Sequence, residues 1–197
     1  MIQSLVSHLI VTHIFSVYFI GLSHSQANEF LSIEKTLSAY GTTEALNTWR
    51  STTLSIISKS SSYDSKIMSE TGAVVSRIVL QLNDILFSIT IHEQPASTDS
   101  RDASLRSLLT SAISLSRLLR VQKAVFEIKM PVLEEHQQTM FDNERMEDIG
   151  GEDEESLQGR EIACVVFFGV EKRGDENGDR GHLVNIVSKM KVLCAPG

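Results

Sequence analysis

Between Arg101 and Met130 the leucines recur at helical steps: Leu105, Leu108, Leu109, Ala112, Leu115, Leu118, Leu119 and then Gln122. A pattern with this period can bury one stripe of a long helix and cannot serve as a half-buried strand. Arg101, Arg106, Arg117, Arg120 and Lys123 mark the other side, which reads as a solvated face, and Pro131 is expected to end the helix. The stripe is wider than two apolar positions in seven, so it fits a bundle and not a coiled-coil seam.

The rest of the first two thirds reads the same way. Residues 28–41 are expected to form a short helix stopped by Gly41, with Thr42 and Thr43 as caps for the next one. In that second helix Leu46, Trp49, Leu54, Ile56 and Ile57 are apolar. A polar break at 60–65 precedes a longer helix from Ser65 to Thr90, with Ile67, Val74, Val75, Ile78, Leu82, Ile85 and Leu86 in one stripe and Gly72 weakening it locally. Residues 92–100, which contain Pro95, are expected to be a loop.

The N-terminal stretch admits three readings. Residues 5–22 are mostly apolar and free of Asp, Glu, Lys and Arg, and Leu5, Leu9, Ile10, Ile14, Val17, Tyr18 and Ile20 recur at helical spacing. A first core helix is the expectation. Residues 1–27 could instead be a signal peptide cleaved near Ala27, or a membrane anchor. No Lys or Arg precedes the apolar run, and His8 and His13 interrupt it, which weakens both alternatives.

Charge is unevenly placed. Residues 1–141 carry 11 Lys/Arg and 12 Asp/Glu, a net of −1, and residues 142–197 carry 7 and 13, a net of −6. Without a basic cluster the chain has no electrostatic footprint for nucleic acid, and its acidity opposes anionic lipid. The acids concentrate in "DNERMEDIGGEDEES", residues 142–156, read as a solvated connector because the spacing is not that of a calcium loop.

After the connector come two apolar runs, "EIACVVFFGV" and "LVNIVSKMKVLC", with "RGDENGDRG" between them. They read as an antiparallel hairpin, with Asn177-Gly178 as a turn of two positive-φ residues. Site readings of the loop fail on chemistry. Asp175 and Glu176 stand where a phosphate loop needs Lys and Ser or Thr, and Arg180 and Ile186 stand where a calcium loop needs Gly and Glu. Cys164 and Cys194 lie in the apolar runs and read as buried thiols, with a cross-strand disulfide as the alternative. His92-Glu93 lacks the second histidine of a zinc helix, and no nucleophile elbow or dinucleotide fingerprint occurs.

The sequence therefore predicts a mainly α fold: a helical bundle of four to five helices with a C-terminal antiparallel β-hairpin. Residues 1–131 form the helical body, 132–159 the acidic connector, and 160–195 the hairpin packed on the body. No catalytic, cofactor-binding or metal-binding residue is assigned, and no cofactor is expected. The expected function is that of a non-catalytic cytoplasmic protein acting through contacts with a protein partner, with neither nucleic acid nor membrane as its target. The alternatives are a secreted or membrane-tethered factor and an enzyme of a class without motifs.

Residues 105–195, with "SLRSLLTSAISLSRLLRVQKAVFE", "MEDIGGEDEESLQGREIACVVFFGVEKRGDENG" and "NIVSKMKVLC", resemble the tail of uncharacterised proteins from filamentous fungi. That pattern has Pro where this chain has Phe168. The resemblance implies an intracellular chain with a helical body, acidic connector and closing hairpin, and implies no activity.

Overall fold

The structure is a computed structural model, and it describes residues 2–89, 98–133 and 138–196. The chain is mixed α and β: five helices are followed by two small sheets built largely from antiparallel strands. It divides into two compact units. One contains residues 12–123, and the other joins residues 1–11 to residues 124–197.

The first unit is helical. It contains α2 (His24–Tyr40), α3 (Thr43–Ser58), α4 (Ser61–Ile89) and α5 (Thr98–Arg120), preceded by most of a π-helical turn, Val11–Phe15. Ser23 and Gln26 form a reciprocal capping box at the start of α2, so Ser25 and Ala27 lie inside its first turns. Thr42 caps α3 by accepting from the Ala45 N–H. Tyr18, Phe19, Leu54, Tyr63 and Ile67 make one core cluster. Tyr18 stacks on Phe30 at 6.1 Å, and Phe30 meets Trp49 at 6.1 Å. Helices α4 and α5 form a pair cross-linked by Asn83 with Asp102, Arg101 with Asn83, and Arg106 with Ser76.

Several arginines of α5 work inside this unit and are not simply solvated. Arg117 lies over the Phe19 ring and Arg120 over the Tyr18 ring, each at 5.9 Å. Helix α4 is long and apolar enough to cross a membrane by length and composition, and its stripe of Tyr63, Ile67, Val75, Ile78, Val79 and Leu82 is buried in the fold. Part of the expected 92–100 loop, including Pro95 and the His92-Glu93 pair, lies outside the described residues.

The expected helix to Pro131 is corrected: α5 stops at Arg120, and Val125–Lys129 is a strand, β1. The physical reason is local. Arg50 and Ser51 of α3 take the carbonyls of residues 121–123, and the β-branched and aromatic run "VFEIK", which belongs to the second unit, pairs there with residues 169–173.

In the second unit, α1 (Ile2–Ile10) packs along β3 (Ile162–Phe167). One sheet has the order β1-β4-β5, with β4 Gly169–Arg173 and β5 Val184–Ser188. The other has the order β2-β6-β3, with β2 Met146–Asp148 and β6 Met190–Cys194. The expected single hairpin is thus broken twice. Its outer half, β4 with β5, belongs to one sheet, and its base, β3 with β6, to the other.

The break falls at Phe168 and Lys189. A side chain on Gly169 would meet the Met190 backbone nitrogen at 3.1 Å, so the chain can bend there only with glycine or with a shift. The expected acidic connector also contributes structure. Met146–Asp148 pairs in parallel with β6, and Phe141, Met146, Leu157, Ile162, Val165, Met190 and Val192 form the unit's core. The four-residue α6 (Glu154–Leu157) supplies Leu157, fully buried.

Candidate functional site

The tip of the hairpin is a loop and not a two-residue turn. Gly174 donates from its N–H to the Leu183 carbonyl, closing a loop of residues 174–183. Positive φ occurs at Gly174, Gly178 and Arg180 and not at Asn177, which corrects the expected turn type. The Asp175 carboxylate accepts from the backbone N–H groups of Asn177 and Asp179 at 2.9 and 3.1 Å. Those bonds, led by the one from Asp179, hold its carboxyl below the usual aspartate value. The acid that resembled part of a calcium loop is spent on the loop's own backbone.

A cleft of about 350 Å³ opens in the same unit, where β4 and β5 approach β2 and β6. Its walls include Met140, Met146, Met190 and Ile186. Glu171, 5% exposed, sits in it with Lys129 Nζ at 3.7 Å and Arg145 Nε at 3.8 Å. Lys129 also donates to Glu127 at 2.6 Å, and Arg173 makes an ion pair with the other Glu127 oxygen at 2.6 Å. The Lys129 hydrogen bond is the main reason the Glu127 carboxyl is held below its usual value.

Register explains this grouping: Glu127 stands opposite Glu171, and Glu171 opposite Ile186, so all three share one face of the sheet. With Asp142 paired to Arg145 at 3.9 Å, three acids and three bases balance. A neutral, closed network of this kind ties strands together. It offers neither a surplus charge for an ionic ligand nor a paired nucleophile and base. Among the described residues no cluster of His, Cys, Asp and Glu could hold a metal ion.

The two cysteines are free and half-buried. Cys194 stands opposite Ile162, and Cys164 opposite Leu193. Burial, and then the carboxylate of Asp148, push the Cys194 thiol up, the reverse of what a reactive cysteine needs.

Several large apolar side chains are left uncovered. On α5 the buried positions are Leu105, Leu109, Ile113 and Ser116, and Leu108, Leu115 and Leu118 stand about half exposed beside them. On α4, Leu80 and Phe87 are two turns apart on one face, with Phe87 80% exposed. Helix α2 has no buried residue, and Leu31, Ile33 and Tyr40 are open. Strand β5 is exposed along its whole length. The sequence signal for the helical surfaces was the excess width of the leucine stripe. The signal for β5 was a run of Val and Ile without charge.

No family model matches the chain, and no solved structure matches it. A curated protein from Aspergillus fumigatus, named Leashin, is 27% identical over 205 aligned residues, which cover 98% of this chain and 4% of that protein. The chain thus has a distant fungal relative and spans about 4% of that relative's length.

Proposed function

We infer that this chain is a non-catalytic module that works inside the cell through contacts with other proteins. The observation that carries the reading is the apolar surface left open on α4 and α5. Leu80, Phe87, Leu108, Leu115 and Leu118 are large side chains on helix faces that the unit's own core does not use. Isolated apolar residues on a surface are ordinary, but repeated ones at helical spacing are the form that helix-binding partners read. The neutralised ion network around Glu171 and the inward-spent Asp175 support the non-catalytic part. The intracellular part is supported by burial of Leu9, Ile10, Ile14, Phe19 and Ile20, since removal of residues 1–27 would strip both units of core side chains.

The test is affinity capture from a fungal extract with the full chain and with a Leu80→Ser, Phe87→Ser variant. Both sites are exposed, so the variant keeps its helical spectrum and melting temperature. The expected result is a partner retained by the parent chain and lost by the variant. No specific partner, or equal capture by both, would contradict the reading.

A further inference from the structure

Among the described residues the two sheets of the second unit have four edge strands, and three of them are guarded. Strand β3 is packed by α1, whose Ser7 Oγ reaches the Phe168 N–H just beyond the strand. Strand β2 has three residues, two of them the acids Glu147 and Asp148. Strand β1 is half-buried throughout and carries Glu127 and Lys129. Short length, charge and cover are the usual devices that stop a sheet edge from pairing with another chain.

Strand β5 has none of them. All five residues, Val184 to Ser188, are exposed. None is charged and none is proline. Val184, Ile186 and Val187 give it high strand propensity on both faces. Its inner side is paired with β4, and among the described residues no strand pairs with its outer side.

We propose that β5 is a self-association edge, on which a second copy of this chain adds its own β5 in antiparallel register. This rests on the reading of the protein as a contact module and names one of its partners. A two-fold axis at Ile186 sets Val184 against the second copy's Ser188 and Asn185 against its Val187, and no like charges meet. One step further out, Leu183 faces Lys189, so the lysines of the two copies stand at opposite ends. The same alignment brings Lys189 of each copy, whose Nζ donates to its own Asn143 carbonyl, to the end where the other copy's loop carries three acids, Asp175, Glu176 and Asp179, against one base, Arg180, a net attraction. Two three-stranded sheets become one of six strands, and two open edges close together.

The test is sedimentation velocity of the full chain over a range reaching high micromolar concentration, beside a Val187→Lys variant. The proposal predicts a concentration-dependent dimer for the parent chain, and association weakened by roughly tenfold or more in the variant, because a lysine on an edge disfavours pairing. A second reading does not depend on the variant's folding. In the parent chain, hydrogen exchange of the β5 amides slows on concentration, while that of α4 does not. A chain monomeric throughout, a folded variant that associates as the parent does, or unchanged β5 exchange would overturn self-pairing. None of these results would touch capture through Leu80 and Phe87, so failure here is distinguishable from failure of the contact reading.

Discussion

Ser7 Oγ accepts a hydrogen bond from the Phe168 N–H at 3.2 Å, across 161 positions of sequence. Ser7 is fully buried and also lies 3.7 Å from the Met130 sulfur, as a donor to it. It joins the first helix to the point where the hairpin leaves one sheet for the other. Ser7→Ala removes that acceptor and is expected to cost about 1–2 kcal/mol. Equilibrium urea unfolding reads the loss, and an unchanged midpoint would contradict the role.

Arg50 performs the equivalent task in the helical unit. Its guanidinium donates to Asn47 Oδ1 at 3.0 Å and to the carbonyls of Gln122 and Lys123 at 3.0 and 3.1 Å. A cation suits that position, just past the C-terminal end of α5, where carbonyls lack helical partners. Burial pulls Arg50 below the usual guanidinium value, with Glu34 opposing. Arg50→Ala is expected to destabilise by about 2–4 kcal/mol, and Arg50→Lys to recover only part of it, because one ammonium cannot reproduce the fork. Thermal unfolding of both variants checks the order.

Tyr63 donates from its hydroxyl to the Ile20 carbonyl at 2.9 Å, and burial pushes its phenol up to about 12 from 10.0. The folded state therefore holds this proton more tightly than the unfolded state. Its contribution to stability is complete below pH 10 and is lost as pH rises through about 12. Burial and the Glu34 carboxylate push the Tyr18 phenol up as well, so phenolate absorbance should show two late groups in the parent chain and one fewer in Tyr63→Phe. Gly21 packs against the same ring with φ +107, and a Cβ there would meet the Tyr63 hydroxyl at 2.5 Å. Gly21→Ala is expected to cost at least about 2 kcal/mol, through both the backbone and the clash.

Leu108 and Leu109 are neighbours in one helix and differ completely in burial, 49% against 0% exposed. Leu109→Ala is expected to cost about 3–5 kcal/mol, and Leu108→Ala less than about 1 kcal/mol. Equal losses in chemical unfolding would mean that the leucine face is buried as a whole.

These two residues also show how far the sequence could be read. Periodicity located α3, α4 and α5, and Gly41 marked the end of α2, because helices announce themselves through local spacing. It did not divide the leucine face, since which half is buried depends on where α4 and the π-helical turn lie. The end of α5 was missed for a similar reason. "VFEIK" continues an apolar pattern, and only pairing of Val125–Lys129 with Gly169–Arg173 makes it a strand. Strand β2 was hidden because its acids read as solvated charge, while its parallel partner lies more than forty residues later. The bend at Phe168 and Lys189 has no local signature beyond Gly169. Asp175 was legible as a loop residue because its chemistry is local, and the Glu127–Glu171 network was not, because register alone assembles it.

The most direct measurement is photo-crosslinking from position 87 in the full chain, with a photoreactive side chain replacing Phe87 and a control replacing the exposed Lys66 on the same helix. A helix face that works by contact predicts a discrete protein adduct from position 87 and none from position 66. No adduct at either position, or the same adduct from both, would contradict the account.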